Sequence, residues 1–243
     1  MGEESDITDI KIPTHIAVIP DGNRRWARKR GLIASFGHKA GVEAYRKLLE
    51  NAADLGIKYV TFYAFSTENW KRQQSEVQAI MGLFVNYIKN FDKEIGEARS
   101  KVRFIVMGRR DKFTKEINES IDRIERITKD NKDLIAYICV DYGGRNEIVE
   151  AAKQLAQSVV EGKISSDSIT EEVFAEHLYT HEAPDPDLLI RTSGELRISN
   201  FMLWQLAYTE FYFTDKYWPD FDKNDLIEAL RVYSGRQRRY GGK

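Results

Sequence analysis

The chain has 243 residues, 42% hydrophobic and 12% aromatic, which is ample for a sizeable core and excludes a disordered chain. Its 37 Lys and Arg nearly cancel 38 Asp and Glu, so no whole-molecule field marks a nucleic-acid binder and any polyanion site must be local. The single cysteine, Cys139, excludes a disulfide within the chain and, lying in an apolar run, reads as a small buried hydrophobe. No apolar run is long enough to span a bilayer, and the acidic start M-G-E-E-S-D does not resemble a secretion signal. These features predict a cytoplasmic protein whose membrane contact, if it has any, comes through a ligand or a surface patch.

Residues 1–12 read as a flexible N-terminal extension and residues 13–243 as one domain. Apolar runs with strand character recur at 16–19, 59–65, 102–107, 134–142, 188–191 and 210–213, separated mostly by helical patterns. That alternation predicts an α/β fold with a mainly parallel sheet covered by helices. The first run, Ile16 to Ile19, is continuously apolar and suits a strand covered on both faces, with Pro20 ending the ladder and Gly22 permitting a turn. Asp21 therefore sits at a strand's carboxyl end, where ligands bind in open α/β sheets. An acid beside Arg24 and Arg25 is suited to holding a metal next to an anion's phosphates. The plainer reading, a capping aspartate before a surface arginine pair, stays open at this point.

A helix is predicted over 38–55, with Val42, Tyr45, Leu48 and Leu49 inward and Gly56 as its stop. The stretch 31–39 has the wrong glycine spacing for a phosphate loop and carries His38 where that motif has lysine. What survives is a helix N-terminus presenting His38 and free N–H groups to a phosphate. Residues 66–72 place Ser66, Asn69, Trp70 and Arg72 after a second strand, as a solvated, capped loop or as part of a site. The following helix, predicted over 75–97, carries Val77, Ile80, Met81, Phe84, Ile88, Phe91 and Ile95, with Leu83, Val85 and Tyr87 widening the apolar face. Such a face packs a core or lines a cavity for a long apolar ligand.

The turn 141–146 has Gly143 and Gly144 but no dinucleotide fingerprint, and His177 and His181 lack a third ligand for zinc. Within 188–201, Arg191, Arg197 and Ser199 supply the fork-shaped and hydroxyl donors that suit a diphosphate, with Glu195 placed to orient them. Glu210 opens the last strand among apolar residues and needs a partner, a cation being one candidate. The basic tail after a helix capped by Asp222 either complements a helix dipole or reaches a phosphate.

Together the blocks H-I-A-V-I-P-D-G-N-R-R-W, F-G-H-K-A-G, Y-A-F-S-T-E-N-W-K-R, D-Y-G-G-R, I-R-T-S-G-E-L-R-I-S-N-F and W-P-D-F resemble the cis-prenyltransferases of the undecaprenyl diphosphate synthase type, across residues 15–241. The resemblance implies a single α/β domain with a six-stranded, mainly parallel sheet, a hydrophobic tunnel and a homodimer. It also implies Mg²⁺-dependent, sequential addition of isopentenyl diphosphate to an allylic prenyl diphosphate of farnesyl or geranylgeranyl type. The product is a longer (Z)-polyprenyl diphosphate, of the kind that becomes a glycosyl carrier lipid. By matching motif, Asp21 and Glu210 are metal-associated acids. Gly22, Asn23, Arg24, Arg25, Trp26, His38 and Ser66 surround the allylic diphosphate, and Phe65, Trp70 and Arg72 align substrates. Arg191, Glu195, Arg197 and Ser199 hold isopentenyl diphosphate. Asp21 and Asn69 are the catalytic candidates, and the proton acceptor stays open among Asp21, Asn69 acting through water, and released diphosphate. Trp26, Phe65 and Trp70 are expected to help exclude water from the cationic centre. Arg239 and Gly241 resemble a tail motif that crosses a dimer to the partner's site. Val77, Met81, Phe84, Ile88 and Leu134 are read as the tunnel. Pro20, Arg24 and Ser193 depart from common bacterial variants toward archaeal or eukaryotic ones. Non-head-to-tail joining of two allylic diphosphates, and a non-catalytic partner-subunit role, are the alternatives.

Overall fold

The computed structural model describes residues 9–91 and 101–236. Six strands form one sheet, β1 (His15–Ile19), β2 (Tyr59–Ser66), β3 (Val102–Met107), β4 (Leu134–Tyr142), β5 (Leu188–Arg191) and β6 (Glu210–Phe213), in the order β3-β4-β2-β1-β5-β6. Every neighbouring pair is parallel, so all the strand carboxyl ends open on one edge of the sheet.

Alternate residues of each strand enter two separate cores. Ile16 and Val18 join one with Val60, Phe62, Ala136 and Ile138, while Ala17 and Ile19 join the other with Tyr63, Tyr137 and Cys139. The unbroken apolar run of β1 has this cause, since helices or loops cover both faces. Burial pushes the Cys139 thiol well up, which suits an inert core residue.

The principal helices are α1 (Asn23–Lys29), α2 (Ala34–Asp54), α3 (Gln74–Lys89), α4 (Lys115–Thr128), α5 (Gly144–Val160), α6 (Glu171–Ala175) and α7 (Lys223–Ser234). Asp222 caps α7 by accepting from the Asn224 and Asp225 N–H groups, as its sequence predicts. Two expectations are corrected. The helix predicted over 38–55 starts at Ala34, four residues before His38, so His38 lies inside α2 rather than at its N-terminus. The chain's start is also not loose through residue 12: Ile10 and Ile12 pack on the larger core, and the Lys11 N–H donates to Ser234 Oγ at 2.9 Å. Helix α3 is described to Lys89, so Ile95 and the predicted end at residue 97 lie outside the described residues.

Candidate active site

Asp21 leaves the carboxyl end of β1 and its backbone is locked to the next strand. Its N–H donates to Thr192 Oγ1 and its C=O accepts from the same hydroxyl, each at 2.8 Å. Its carboxylate lies between two arginines, with Arg191 Nη2 at 3.0 Å from Oδ2 and Arg25 Nη2 at 3.1 Å from Oδ1. Burial pushes the Asp21 carboxyl up, but the Arg191 and Arg25 guanidiniums outweigh it and hold the group below the usual carboxylate range.

Gly22 follows with φ of +100°, and a Cβ there would stand 2.0 Å from Ser193 Oγ. Only glycine meets both conditions, and the turn delivers α1 directly. Asn23 is pressed onto α2, where Cβ atoms at Gly37 and Gly41 would meet its carbonyl oxygen at 2.0 Å and its Oδ1 at 2.7 Å. These small residues let α1 and α2 approach closely. Arg25 also reaches Glu195 at 2.9 Å, and Glu195 pairs in turn with Arg197. Arg191 donates through Nη1 to Ser199 Oγ at 2.8 Å and to the Arg197 carbonyl. Thus Asp21, Arg25, Arg191, Glu195, Arg197 and Ser199, scattered over 179 positions of sequence, form one network.

A second cationic group faces it, centred on a residue the sequence reading missed. Glu76, in the first turn of α3, pairs with Arg24 at 3.1 Å and Arg72 at 2.9 Å, with His38 Nε2 at 3.9 Å. The four-residue spacing from Arg72 to Glu76 was the available signal. Burial lowers the His38 pKa; Glu76 opposes this while Arg72 and Arg24 add to it, so the imidazole is held neutral at pH 7.

Both groups line one cavity of about 870 Å³ whose polar end holds Asp21, Asn23, Arg24, Arg25, Arg28, His38, Ser66, Asn69, Arg72, Arg191, Glu195, Arg197 and Ser199. Its apolar wall comes from Val42 and Tyr45 of α2, Phe62 and Ala64 of β2, Ile80, Leu83, Phe84 and Tyr87 of α3, and Ile138 of β4. Of the predicted tunnel residues only Phe84 lines it. Val77 and Ile88 are buried in the core, Met81 packs against it, and Leu134 is fully buried at the opposite end of β4, beneath Ile138.

Four other predicted positions lie elsewhere. Trp26 donates to Asp220 at 2.6 Å, while Phe65 is buried in the core with Trp70 edge-on at 5.1 Å; none of the three rings lines the cavity to exclude water from it. Glu210 pairs in register with Leu188 at the amino end of the sheet, away from Asp21 at the carboxyl end, and its carboxylate accepts from Arg236 at 2.7 Å. Its required partner is therefore an arginine, and the two acids do not make one metal site within this chain. The tail residues Arg239 and Gly241 lie outside the described residues.

Among the described residues, no cluster of three or more His, Cys, Asp or Glu offers a protein-only metal cage. Asp21 with a nearby diphosphate fits Mg²⁺, which is commonly held by one or two carboxylates and substrate phosphates. No helix among the described residues is long and apolar enough to cross a membrane.

A family model described as "Putative undecaprenyl diphosphate synthase" matches residues 19–241. An isoprenyl transferase of Fusobacterium nucleatum is 49% identical, covering 95% of this chain and 96% of that protein. One of Clostridium perfringens is 48% identical over 99% and 94%. Among solved structures, lavandulyl diphosphate synthase from Lavandula x intermedia, in complex with dimethylallyl diphosphate, superposes with a TM-score of 0.90 at 39% identity, covering 94% of this chain and 98% of that one. A probable undecaprenyl diphosphate synthase from Campylobacter jejuni gives 0.78 at 29% identity, covering 96% and 100%. With a cationic pocket opening into an apolar cavity at the sheet's carboxyl edge, the chain belongs to the undecaprenyl diphosphate synthase family of cis-prenyltransferases and elongates prenyl chains.

Proposed function

We propose that the protein is a Mg²⁺-dependent, homodimeric (Z)-polyprenyl diphosphate synthase of the cytoplasm. It adds isopentenyl diphosphate to an allylic diphosphate of farnesyl or geranylgeranyl type, with membrane contact through the product. The observation that carries this is a single cavity whose cationic end holds two clusters, Asp21–Arg25–Arg191 and Arg24–Arg72–His38, and whose other end is apolar. One end suits diphosphates and the other a growing hydrocarbon.

In this reading the allylic diphosphate takes the place Glu76 now occupies among Arg24, Arg72 and His38, with Asn23, Arg25 and Ser66 beside it. Isopentenyl diphosphate is held by Arg191, Arg197 and Ser199, with Glu195 orienting Arg25 and Arg197. When bound at Asp21, Mg²⁺ supplies Lewis-acid stabilisation of the diphosphate that departs as the allylic C–O bond breaks. Arg25 and His38 add donors to that developing charge, preset before the reaction. Asp21, clasped by two guanidiniums and held below its usual pKa, is a weak proton acceptor, which supports the metal role over the base role.

Mass spectrometry of products from purified protein, Mg²⁺, isopentenyl diphosphate and a panel of allylic primers tests this directly. Successive five-carbon additions are expected. Product formed from the allylic primer alone would instead mean joining of two allylic units, and no product with any primer would sink the catalytic reading.

A further inference from the structure

We propose that Asp141 is a positioning residue for the reaction, acting through Trp70 to hold the Ser66–Arg72 segment against the cavity. Asp141 is the penultimate residue of β4, beside the sheet's active edge, is fully buried, and adopts φ of +50°, a conformation Asp and Asn tolerate better than most residues. Its Oδ1 accepts from the Trp70 indole N–H at 2.7 Å and from Arg109 Nη2 at 2.9 Å. Lys112 Nζ stands 3.7 Å from Oδ2 and 4.3 Å from the centre of the Trp70 ring. The indole is thus held by a charge-assisted hydrogen bond at its edge and by a cation on its face, with Phe65 against it.

What the anchor positions is the rest of the segment. Trp70 itself does not line the cavity, yet Ser66, Asn69 and Arg72 do. Residues Thr67–Lys71 form a short 3₁₀ turn in which Ser66 and Asn69 cap each other, the Ser66 N–H donating to Asn69 Oδ1 at 3.2 Å. Such a turn has little hydrogen bonding of its own to fix its orientation. Its outer attachments are Asp141 at Trp70, Asn200 at Glu68 (2.9 Å) and Glu76 at Arg72 (2.9 Å). Of these three, only Asp141 is a fully buried group, so it is the attachment solvent screens least.

This rests on the assignment of Ser66, Asn69 and Arg72 to the diphosphate pocket. The test compares Asp141→Asn, which keeps an Oδ1 acceptor, Asp141→Gly, which removes the carboxylate without straining a positive φ, and Trp70→Phe, which removes only the indole donor and keeps an aromatic ring. Using the preferred primer of the product panel, Asp141→Gly and Trp70→Phe are each expected to raise KM for the allylic diphosphate about tenfold, with kcat changed less than about threefold. Asp141→Asn is expected to stay within about threefold, and the Gly/Phe double variant to lose no more than Asp141→Gly alone. Trp70 emission, taken as the difference from Trp70→Phe protein, should shift to the red in Asp141→Gly, which reads the anchor without turnover. Losses that multiply in the double variant, an Asp141→Asn protein as impaired as Asp141→Gly, or an unchanged KM in Trp70→Phe would each overturn the proposal. A shifted emission with wild-type KM would show an anchor without a positioning role. A wild-type protein inactive with every primer would instead refute the site assignment.

Discussion

At the scale of single residues, Asp21 shows how a position legible in sequence changes meaning in three dimensions. Its place after a buried strand was readable, because Ile16–Ile19 is continuously apolar and Pro20 stops the ladder. Its clasp by Arg191, 170 positions away, was not, because parallel pairing of β1 with β5 brings the two together. Asp21→Asn keeps the shape and one acceptor oxygen but loses the charge. It is expected to lower kcat on the order of a thousandfold while the protein stays folded by circular dichroism. A second residue governs acid stability. His15 is fully buried, with its ring bonded to Thr61 and the Pro184 carbonyl, and burial pulls its pKa down to about 4 despite that carbonyl and Asp187. The folded state therefore resists a proton that the unfolded chain accepts near pH 6.5. Between those values the unfolded chain binds more protons, so stability rises with pH, complete above about 6.5 and lost progressively down to about 4. The loss amounts to about 3 kcal/mol. Urea unfolding at pH 7.5 and 4.5 should show it, with a flatter pH dependence in His15→Gln.

At the scale of elements, all six strands were readable because β-character apolar runs alternate with helical periods, and four of the six begin and end where the pattern breaks. Helix α1 was not foreseen. Its seven residues carry no apolar stripe, and only Ala27 is buried. What makes it a helix is tertiary, its close seat on α2 at Gly37 and Gly41. A methyl at Gly41 would lie 2.7 Å from Asn23 Oδ1. Gly41→Ala is therefore expected to cost roughly 1–3 kcal/mol by overpacking and to push Asn23 off its place at the cavity. The combined readout is a lower Tm with a raised KM for the allylic diphosphate. The same substitution at Gly82 of α3, where a Cβ meets nothing within 4 Å, should be neutral or slightly stabilising and serves as the control.

At the scale of the whole molecule, the sheet sets what a pattern of residues cannot. Parallel register puts Glu210 beside Leu188 and Asp21 past Ile19, so two acids that look alike in sequence face opposite edges, one against Arg236 and one in the pocket. The tunnel residues divide for a related reason. The apolar face of α3 is broad, and periodicity alone cannot divide it between core and cavity. Packing on the sheet buries Val77 and Ile88 and leaves Ile80, Leu83, Phe84 and Tyr87 along the space shared with α2 and with Phe62 and Ile138. Ile138 lines the cavity, whereas Leu134, four residues earlier in β4, is fully buried in the core. This separates length control from stability. Phe84→Ala opens the apolar wall and is expected to lengthen the products by one or more isoprene units. Ala64→Leu fills the wall and should shorten them. Leu134→Ala leaves the wall intact, so its product distribution should match the wild type while unfolding shows a loss of about 2–5 kcal/mol from the cavity left in the core. Mass spectrometry of the three product ladders beside urea unfolding decides the matter. A shifted ladder from Leu134→Ala, or an unchanged one from both Phe84→Ala and Ala64→Leu, would place the chain-length floor somewhere other than the space between α2, α3 and the sheet.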